Sequence, residues 1–526
     1  MEPKQLNRTL TIALWAVILV LVLVAVNTMR QKGTAKVRVP DGDWAKLMLV
    51  LGSVDKDYVD EIDHAKVTEE ILPAIMSELD PHSVYLPPKD LQVAEEDLQG
   101  GFDGIGIQFT VPEDTAVVSQ VISGGPSEKA GLLSGDRIVK VDGRTIAGVK
   151  MPQDSMVRLM KGKRGTKVLI SVKRAGEQSL IDFPIVRDKI PVNTVDAAFM
   201  LDDTTAYVKL SKFARTSYFE FITAVLKLRT EGMKRLLFDL RGNTGGYLDQ
   251  AVMLSNEFLA KGDLVVYMEG RKRPRQDIYA DGKGTCQDVD LAVLIDEGSA
   301  SSSEIFAGAM QDNDRGVIYG LRSYGKGLVQ EPVYFSDGSG IRLTVARYYT
   351  PSGRCIQKPY DDYASDLLQR YRHGEMMSAD SIKVNDSLKF TTKGGRTVYG
   401  GGGIIPDVFV PMVTTGGSEF LLKCNKLSLQ AKFANQLSDR NREKLRSLDD
   451  MKSLNAFLDG LSLKEKFVKF AAEAGVQLKE GEWEKSGKII ETQLRALIGR
   501  NTPLNDEAFY QIYLSIDNVV DAAMKN

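Results

Sequence analysis

Between residues 191 and 415 short, continuous apolar runs alternate with segments of helical period, and this alternation constrains the fold of the chain more than any other feature. The strand-like runs are TAYVKLS, RLLFDL, LAVLI, GVIYG and IRLTVARYY, with helices expected over 218–231, 247–259 and 303–311 between them. Such a succession reads as an α/β core.

The flanking segments keep other rhythms. Residues 98–190 alternate apolar and polar side chains in GIGIQFTV, TAVVSQVI, DRIVKVDG and KVLISVKR, separated by glycine-rich turns, with one helix expected over 153–160. Residues 42–97 carry helical stripes through Trp44, Leu47, Met48 and Leu51 and through Ile71, Ile75 and Leu79, which predicts a small helical module containing the turn LDPHSVYL. Beyond about residue 416 the period is helical again, as at Ile490, Leu494, Leu497 and Ile498, and an accessory helical domain is expected over 416–526. At 526 residues the chain is too long for one hydrophobic core.

Residues 10–26 read LTIALWAVILVLVLVAV, a charge-free run at the short end of what spans a bilayer. A single membrane helix is therefore placed at 10–28, within an anchor and tether covering 1–41. No small-x-small cleavage site follows it, so it reads as an uncleaved anchor, and basic residues on both flanks leave its orientation open.

Composition narrows the function classes. A balance of 68 basic against 70 acidic side chains leaves no field to gather nucleic acid. Cys286, Cys355 and Cys424 stand far apart without zinc-ligand spacing, and His64, His82 and His373 offer few candidates for a histidine-dependent triad or metal site.

The most informative stretch is LAVLIDEGSASSSEIFAGAMQD, where an apolar strand leads through a Gly/Ser turn into a helix starting near Ser301. A hydroxyl there meets the positive potential and free N–H groups of a helix N-terminus, which suits a nucleophile and its oxyanion; Ser301-x-x-Glu304 is equally a capping box. Lys326 lies between Gly325 and Gly327, where an inward-turned, desolvated amine loses its charge and can take a proton. A solvated loop lysine is the ordinary alternative. Gln330, four residues on, is placed to orient that amine. In RLLFDLRGNTGG, Gly245 and Gly246 allow an exposed backbone whose N–H groups can donate to an oxyanion, though the segment also reads as a plain strand-to-helix turn.

Taken together, GSASSSEIFAGAMQD, YGKGLVQ, DLRGNTGG, TPSGRCIQ and GIIPDV closely resemble the carboxyl-terminal processing proteases, also called tail-specific proteases, over about residues 43–415. Members of that family use a Ser–Lys dyad with the serine twenty-five residues before the lysine, and this spacing selects Ser301 with Lys326 over Ser299, Ser302 and Ser303. The resemblance implies that Gln330 supports the lysine and that the amides of Ser302 and one of the DLRGNTGG glycines, taken as Gly246, form the oxyanion hole. It also implies a PDZ domain over 98–190 preceding a protease core over 191–415. There Gly104, Ile105 and Gly106 are expected to cradle a substrate carboxylate, with Ile107 facing the groove and Met156, Val157 and Met160 lining an apolar pocket. Lys161 stands where family members commonly carry arginine, and an insertion at about 358–395 is a candidate cover for the active-site entrance.

The fold class expected is thus multidomain α/β: a protease core preceded by a β-rich PDZ domain, with an N-terminal helical module, a C-terminal helical domain and one N-terminal membrane helix. The function implied by the resemblance is a membrane-anchored serine endopeptidase, acting outside the cytoplasm (the periplasmic side in a bacterium) on proteins with apolar C-termini. It requires no metal or organic cofactor and no nucleic acid. A homodimer or an adaptor protein is a further expected partner, with 416–526 as the candidate docking region. The competing class is a noncatalytic membrane PDZ adaptor on an inert protease-like core, which has no need of Ser301, Lys326 and Gln330 together.

Overall fold

The computed structural model describes residue 42 and residues 44–525 apart from 123 and 362; the expected membrane helix at 10–28 lies outside the described residues. Among the described residues no helix is long and apolar enough to cross a membrane. Two compact units divide between Leu72 and Pro73. In the first, helix Ala45–Asp57 buries none of its residues, so the stripe through Leu47, Met48 and Leu51 has the helical period without a covered face.

The second unit is organised round a six-stranded sheet. Its strands are β1 (Val195–Met200), β2 (Thr205–Leu210), β3 (Arg235–Asp239), β4 (Asp290–Ile295), β5 (Val317–Gly320) and β6 (Val408–Phe409), side by side in chain order. β1 and β2 are antiparallel and every later pair is parallel. Parallel neighbours need crossovers, and the first three of these connections carry α1 (Ser217–Thr230), α2 (Leu248–Asn256) and α3 (Ser302–Asp312).

Successive side chains of the central strands leave on opposite faces. Val208, Phe238 and Val293 join Phe221, Leu254 and Phe306 of the helices in one core. Tyr207, Leu237 and Leu294 pack against Leu514, Val519 and Val520 from near the C-terminus in another. Burial on both faces is why RLLFD and LAVLI are continuous apolar runs. The region expected as one accessory domain therefore divides. Residues from Phe420 to Ile512 build a helical core of their own, whereas Leu514 and the helix Asn518–Lys525 complete the central sheet.

A second, antiparallel sheet joins Val84–Leu86, Leu264–Gly270, Arg273–Tyr279, Leu328–Tyr334 and Gly340–Tyr349. Val84–Leu86 comes from the segment expected to be a helical module; its β-branched and aromatic side chains pair with Gly340–Tyr349 instead. Residues 107–186 form a separate six-stranded antiparallel sheet with helices Pro126–Ala130 and Gln153–Met160 and a core that includes Ile138, Val168 and Ile170. A ribbon of Gly101–Gly104 with Asp188–Pro191 ties the two ends of this domain together.

Candidate active site

β4 ends at Ile295 and the chain turns through DEGSA into α3, placing Ser301 at the helix N-cap. Its backbone lies at φ 55° and ψ −114°, a region that a side-chain-bearing residue keeps only when its surroundings hold it. The holding group is Glu304, fully buried in the first turn of α3. Its Oε2 accepts from the amides of Ser301 (2.8 Å) and Lys326 (2.9 Å), and its Oε1 from the Gly325 amide (2.7 Å) and the Ser323 hydroxyl (2.6 Å). The residue that caps the helix thus ties the serine segment to the lysine segment. Burial pushes the Glu304 carboxyl up to about 7, against the pull of these four donors. Tyr348 adds a second tie, its buried hydroxyl lying on the carbonyl oxygens of Ser301 (3.1 Å) and Lys326.

The Lys326 amine is half-buried and donates to Gln330 Oε1 at 2.9 Å. Gln330 Nε2 donates to the His82 carbonyl at 2.6 Å. Because a carbonyl oxygen only accepts, that bond fixes the amide with its oxygen toward the lysine. Burial holds Lys326 below the ordinary lysine pKa and the nearby Arg342 cation pushes the same way, while Glu304 and Asp80 oppose them. Desolvation of an ammonium favours the neutral amine, the form that can act as a base.

Ser301, Ser302, Lys326, Gln330, Gly245 and Gly246 all line one cleft of about 820 Å³. No hydrogen bond joins the Ser301 hydroxyl to the Lys326 amine. The Gly245 backbone lies so close to the serine that an added Cβ would stand 2.7 Å from Ser301 Cβ and from the Ala300 carbonyl oxygen. Its amide is occupied by Asn243 Oδ1 at 2.9 Å. The amides of Gly246 and Ser302, in contrast, have no acceptor among the described residues and remain available to a ligand oxygen in the cleft. Behind this loop Asp239 is buried with Tyr207, Lys209 and Arg241, and Arg241 reaches Asp517 at 2.8 Å. Burial acts against ionising Asp239, yet Arg241 and Lys209 hold its carboxyl well below the usual range.

The model of peptidase family S41 matches residues 204–363, that of the PDZ domain residues 104–185, and that of a family of unknown function residues 422–502. A probable CtpA-like serine protease of Staphylococcus aureus (strain COL) is 33% identical over 385 residues, covering 72% of this chain and 75% of that protein. The chain belongs to peptidase family S41. A second probable CtpA-like serine protease, from Staphylococcus haemolyticus, is 31% identical to this S41 protease over 349 residues, 66% of the chain and 69% of the relative. A solved photosystem II D1 C-terminal processing protease aligns with 70% of the chain and 87% of its own, at 27% identity and a TM-score of 0.38. The chain is accordingly a CtpA-like, serine-type peptidase with a PDZ domain, and the matched S41 segment contains the whole series from DLRGNTGG through Gln330.

His82, one of three histidines whose pattern signals no catalytic role, lends this S41 protease its backbone carbonyl to hold Gln330. The local signal was the Asp-Pro-His-Ser turn, in which Asp80 Oδ1 accepts from the amides of His82 and Ser83 at 2.8 Å each. The reach of Glu304 to Lys326, the Tyr348 tie and the proximity of Arg342 had no local signal, because their partners lie on other elements.

In the PDZ domain the carbonyls of Ile105 and Gly106 accept from Ser127 and Ile122 at 3.0 Å each, and the Ile105 and Gly106 amides have no acceptor among the described residues. Gly104 is paired with Asp188 in the ribbon. Ile107 and Val157 are half-buried. Met156 and Met160 do not line an open pocket: both lie on the inner face of their helix, buried in the domain core. Lys161 forms an ion pair with Glu96 at 2.8 Å. The expectation that the insertion covers the entrance is not met among the described residues, none of which from 358–395 lines the cleft.

Proposed function

We propose that this S41 protease is a membrane-anchored endopeptidase that takes protein substrates by their C-termini on its PDZ domain and cleaves them by a Ser301–Lys326 acyl-enzyme mechanism. The observation that carries this reading is the convergence, in one cleft, of a strained helix-cap serine, a desolvated lysine held by Gln330, and two unoccupied amides.

Neutral Lys326 Nζ takes the Ser301 Oγ proton as that oxygen attacks the substrate carbonyl carbon. The resulting oxyanion accepts from the Ser302 and Gly246 amides; one such donor is worth about 3–4 kcal/mol of barrier. Collapse breaks the C–N bond, and the Lys326 ammonium returns its proton to the leaving amine. Water then attacks the acyl ester and gives a proton to Lys326, which passes it to Ser301 Oγ as the new carboxylic acid departs. The hydroxyl–amine hydrogen bond forms as substrate fills the cleft, because catalytic bonds of this kind tighten in the complex.

The free Ile105 and Gly106 amides support capture of a terminal carboxylate, with the substrate added as a strand beside Ile107 and Val157. Residues 10–28 anchor the chain, and the catalytic part lies outside the cytoplasm. Incubation of the full-length protein with an unstructured polypeptide, followed by mass mapping, tests the reading. Internal cleavage is expected from the native protein and none from Ser301→Ala or Lys326→Ala; undiminished cleavage by either variant refutes the dyad.

A further inference from the structure

Gln357 and the described residues of the insertion after it lie behind the cleft, against the segment that carries the base. Gln357 Oε1 accepts from the Gly327 amide at 2.9 Å, and the Lys358 amide donates to the Gly325 carbonyl at 3.0 Å, so both backbone neighbours of Lys326 are fastened. Arg370 donates to the carbonyls of Ser323 (3.2 Å) and Arg322 (2.6 Å), and both arginines pair with Glu375.

The same segment reaches the far side of the base through Tyr363. Its hydroxyl is 2.5 Å from His82 Nε2, with the two rings edge to face at 5.2 Å. Tyr363 is itself held by Lys358, whose Nζ lies 4.3 Å from its ring centroid and 4.0 Å from that of Tyr324, and which pairs with Asp366 at 3.1 Å. The connection runs from Tyr363 to the His82 ring, then from the His82 carbonyl through Gln330 to the Lys326 amine.

We infer that residues 357–361 and 363–375 form a strap that positions the base from behind, with Tyr363 acting as a positioning residue through His82 and Gln330. This rests on the Ser301–Lys326 reading and extends it to a part of the chain that contributes nothing to the cleft wall. The charged and titratable groups facing Lys326 are Arg342 from strand Gly340–Tyr349, Glu304 from α3, and Asp80 and His82 from the turn. Those facing His82 are Lys326, Asp80, Lys358 and Tyr363. Burial, reinforced by Lys326 and partly opposed by Asp80, lowers His82 to about 4, so its ring is neutral at working pH and accepts or donates by tautomer. Loosening the turn admits water to the amine, and a better-solvated lysine is protonated over more of the pH range.

The test is Tyr363→Phe in the full-length enzyme, which keeps the ring contacts with His82, Tyr324, Tyr360 and Lys358 and removes only the hydroxyl. The expected result is a fall in kcat at pH 7 of roughly five- to tenfold, the worth of one hydrogen bond, with KM within about twofold. The acid limb of the kcat–pH profile moves to higher pH, so that the deficit shrinks in alkali, while the melting temperature stays within about 2 °C. His82→Ala lowers kcat comparably, and adding Tyr363→Phe to it costs nothing more, since both remove the same link. An unchanged pH profile, a loss uniform across pH with a lowered melting temperature, or full additivity with His82→Ala overturns the strap. Lys326→Ala is run in parallel: if it is inactive while Tyr363→Phe is normal, the strap alone fails, whereas activity in Lys326→Ala sinks the dyad reading beneath it.

Discussion

Replacing Glu304 by glutamine keeps the side-chain shape and removes the carboxylate on which the Ser301 and Lys326 segments converge. Each carboxylate oxygen serves two donors: Ser301 and Lys326 amides on one, the Gly325 amide and Ser323 hydroxyl on the other. Whichever way the glutamine turns, its NH2 faces a pair of donors. The Ser323 side is the less costly, because a hydroxyl can also accept, and there the Gly325 amide loses its partner. Activity falls, and the stability difference from native becomes pH-dependent. Breaking the tie lowers kcat by about ten- to a hundredfold through misplacement of Lys326. The stability sign follows from the raised carboxyl: a rise from 4.5 to about 7 means that the folded state binds the proton more tightly than the unfolded chain. Native stability from this group is therefore present below pH 4.5 and lost as pH climbs through 7, by about 3 kcal/mol. Glutamine mimics the protonated form at every pH, so native minus variant stability should fall by about that amount between pH 4.5 and 8. Hydrogen exchange of amides in peptides covering α3, corrected for intrinsic rates and run in a Ser301→Ala background, reads it locally. A difference that changes by less than about 1 kcal/mol would show that the four donors outweigh burial. A kcat within twofold of native would refute the tie itself.

Three further expectations come from the same geometry. If neutral Lys326 is the base, kcat rises with pH through a midpoint below that of an ordinary lysine, and Arg342→Met, by removing a repelling cation, moves that limb up by as much as about one pH unit; a flat profile in either protein contradicts this. Gly245→Ala, at φ 98° with its Cβ driven against Ser301 and Ala300, should cut kcat at least about a hundredfold, and near-native turnover would mean that the loop has room to shift. Asp517→Ala removes a partner of Arg241 and acceptors for the Val519 and Val520 amides, and should destabilise the core by about 2–3 kcal/mol by denaturant unfolding; a loss below about 0.5 kcal/mol would show the C-terminal clamp to be idle.

Local order was what the sequence could express. The helix at 153–160 coincides with the observed Gln153–Met160, and the strand-turn-helix around Ser301 lies where its apolar run and Gly/Ser turn placed it. Both depend on hydrophobic period and turn chemistry over a dozen residues, which a linear string carries. The pocket assigned to Met156 and Met160 failed because period identifies an apolar helical face without saying whether that face meets a groove or a core.

Hydrophobic period and turn chemistry by themselves pointed to an α/β core with a β-rich segment before it, and the resemblance to the processing proteases singled out Ser301 and Lys326 as a pair. Only the folded chain decided that Glu304 joins the segments of those two, that His82 and Tyr363 stand behind Lys326, and that Asp517 braces the loop bearing Gly246. The physical reason is that hydrogen bonds and ion pairs act over a few ångströms in space, and the groups concerned are brought within that range by sheet and helix packing rather than by neighbourhood in the chain.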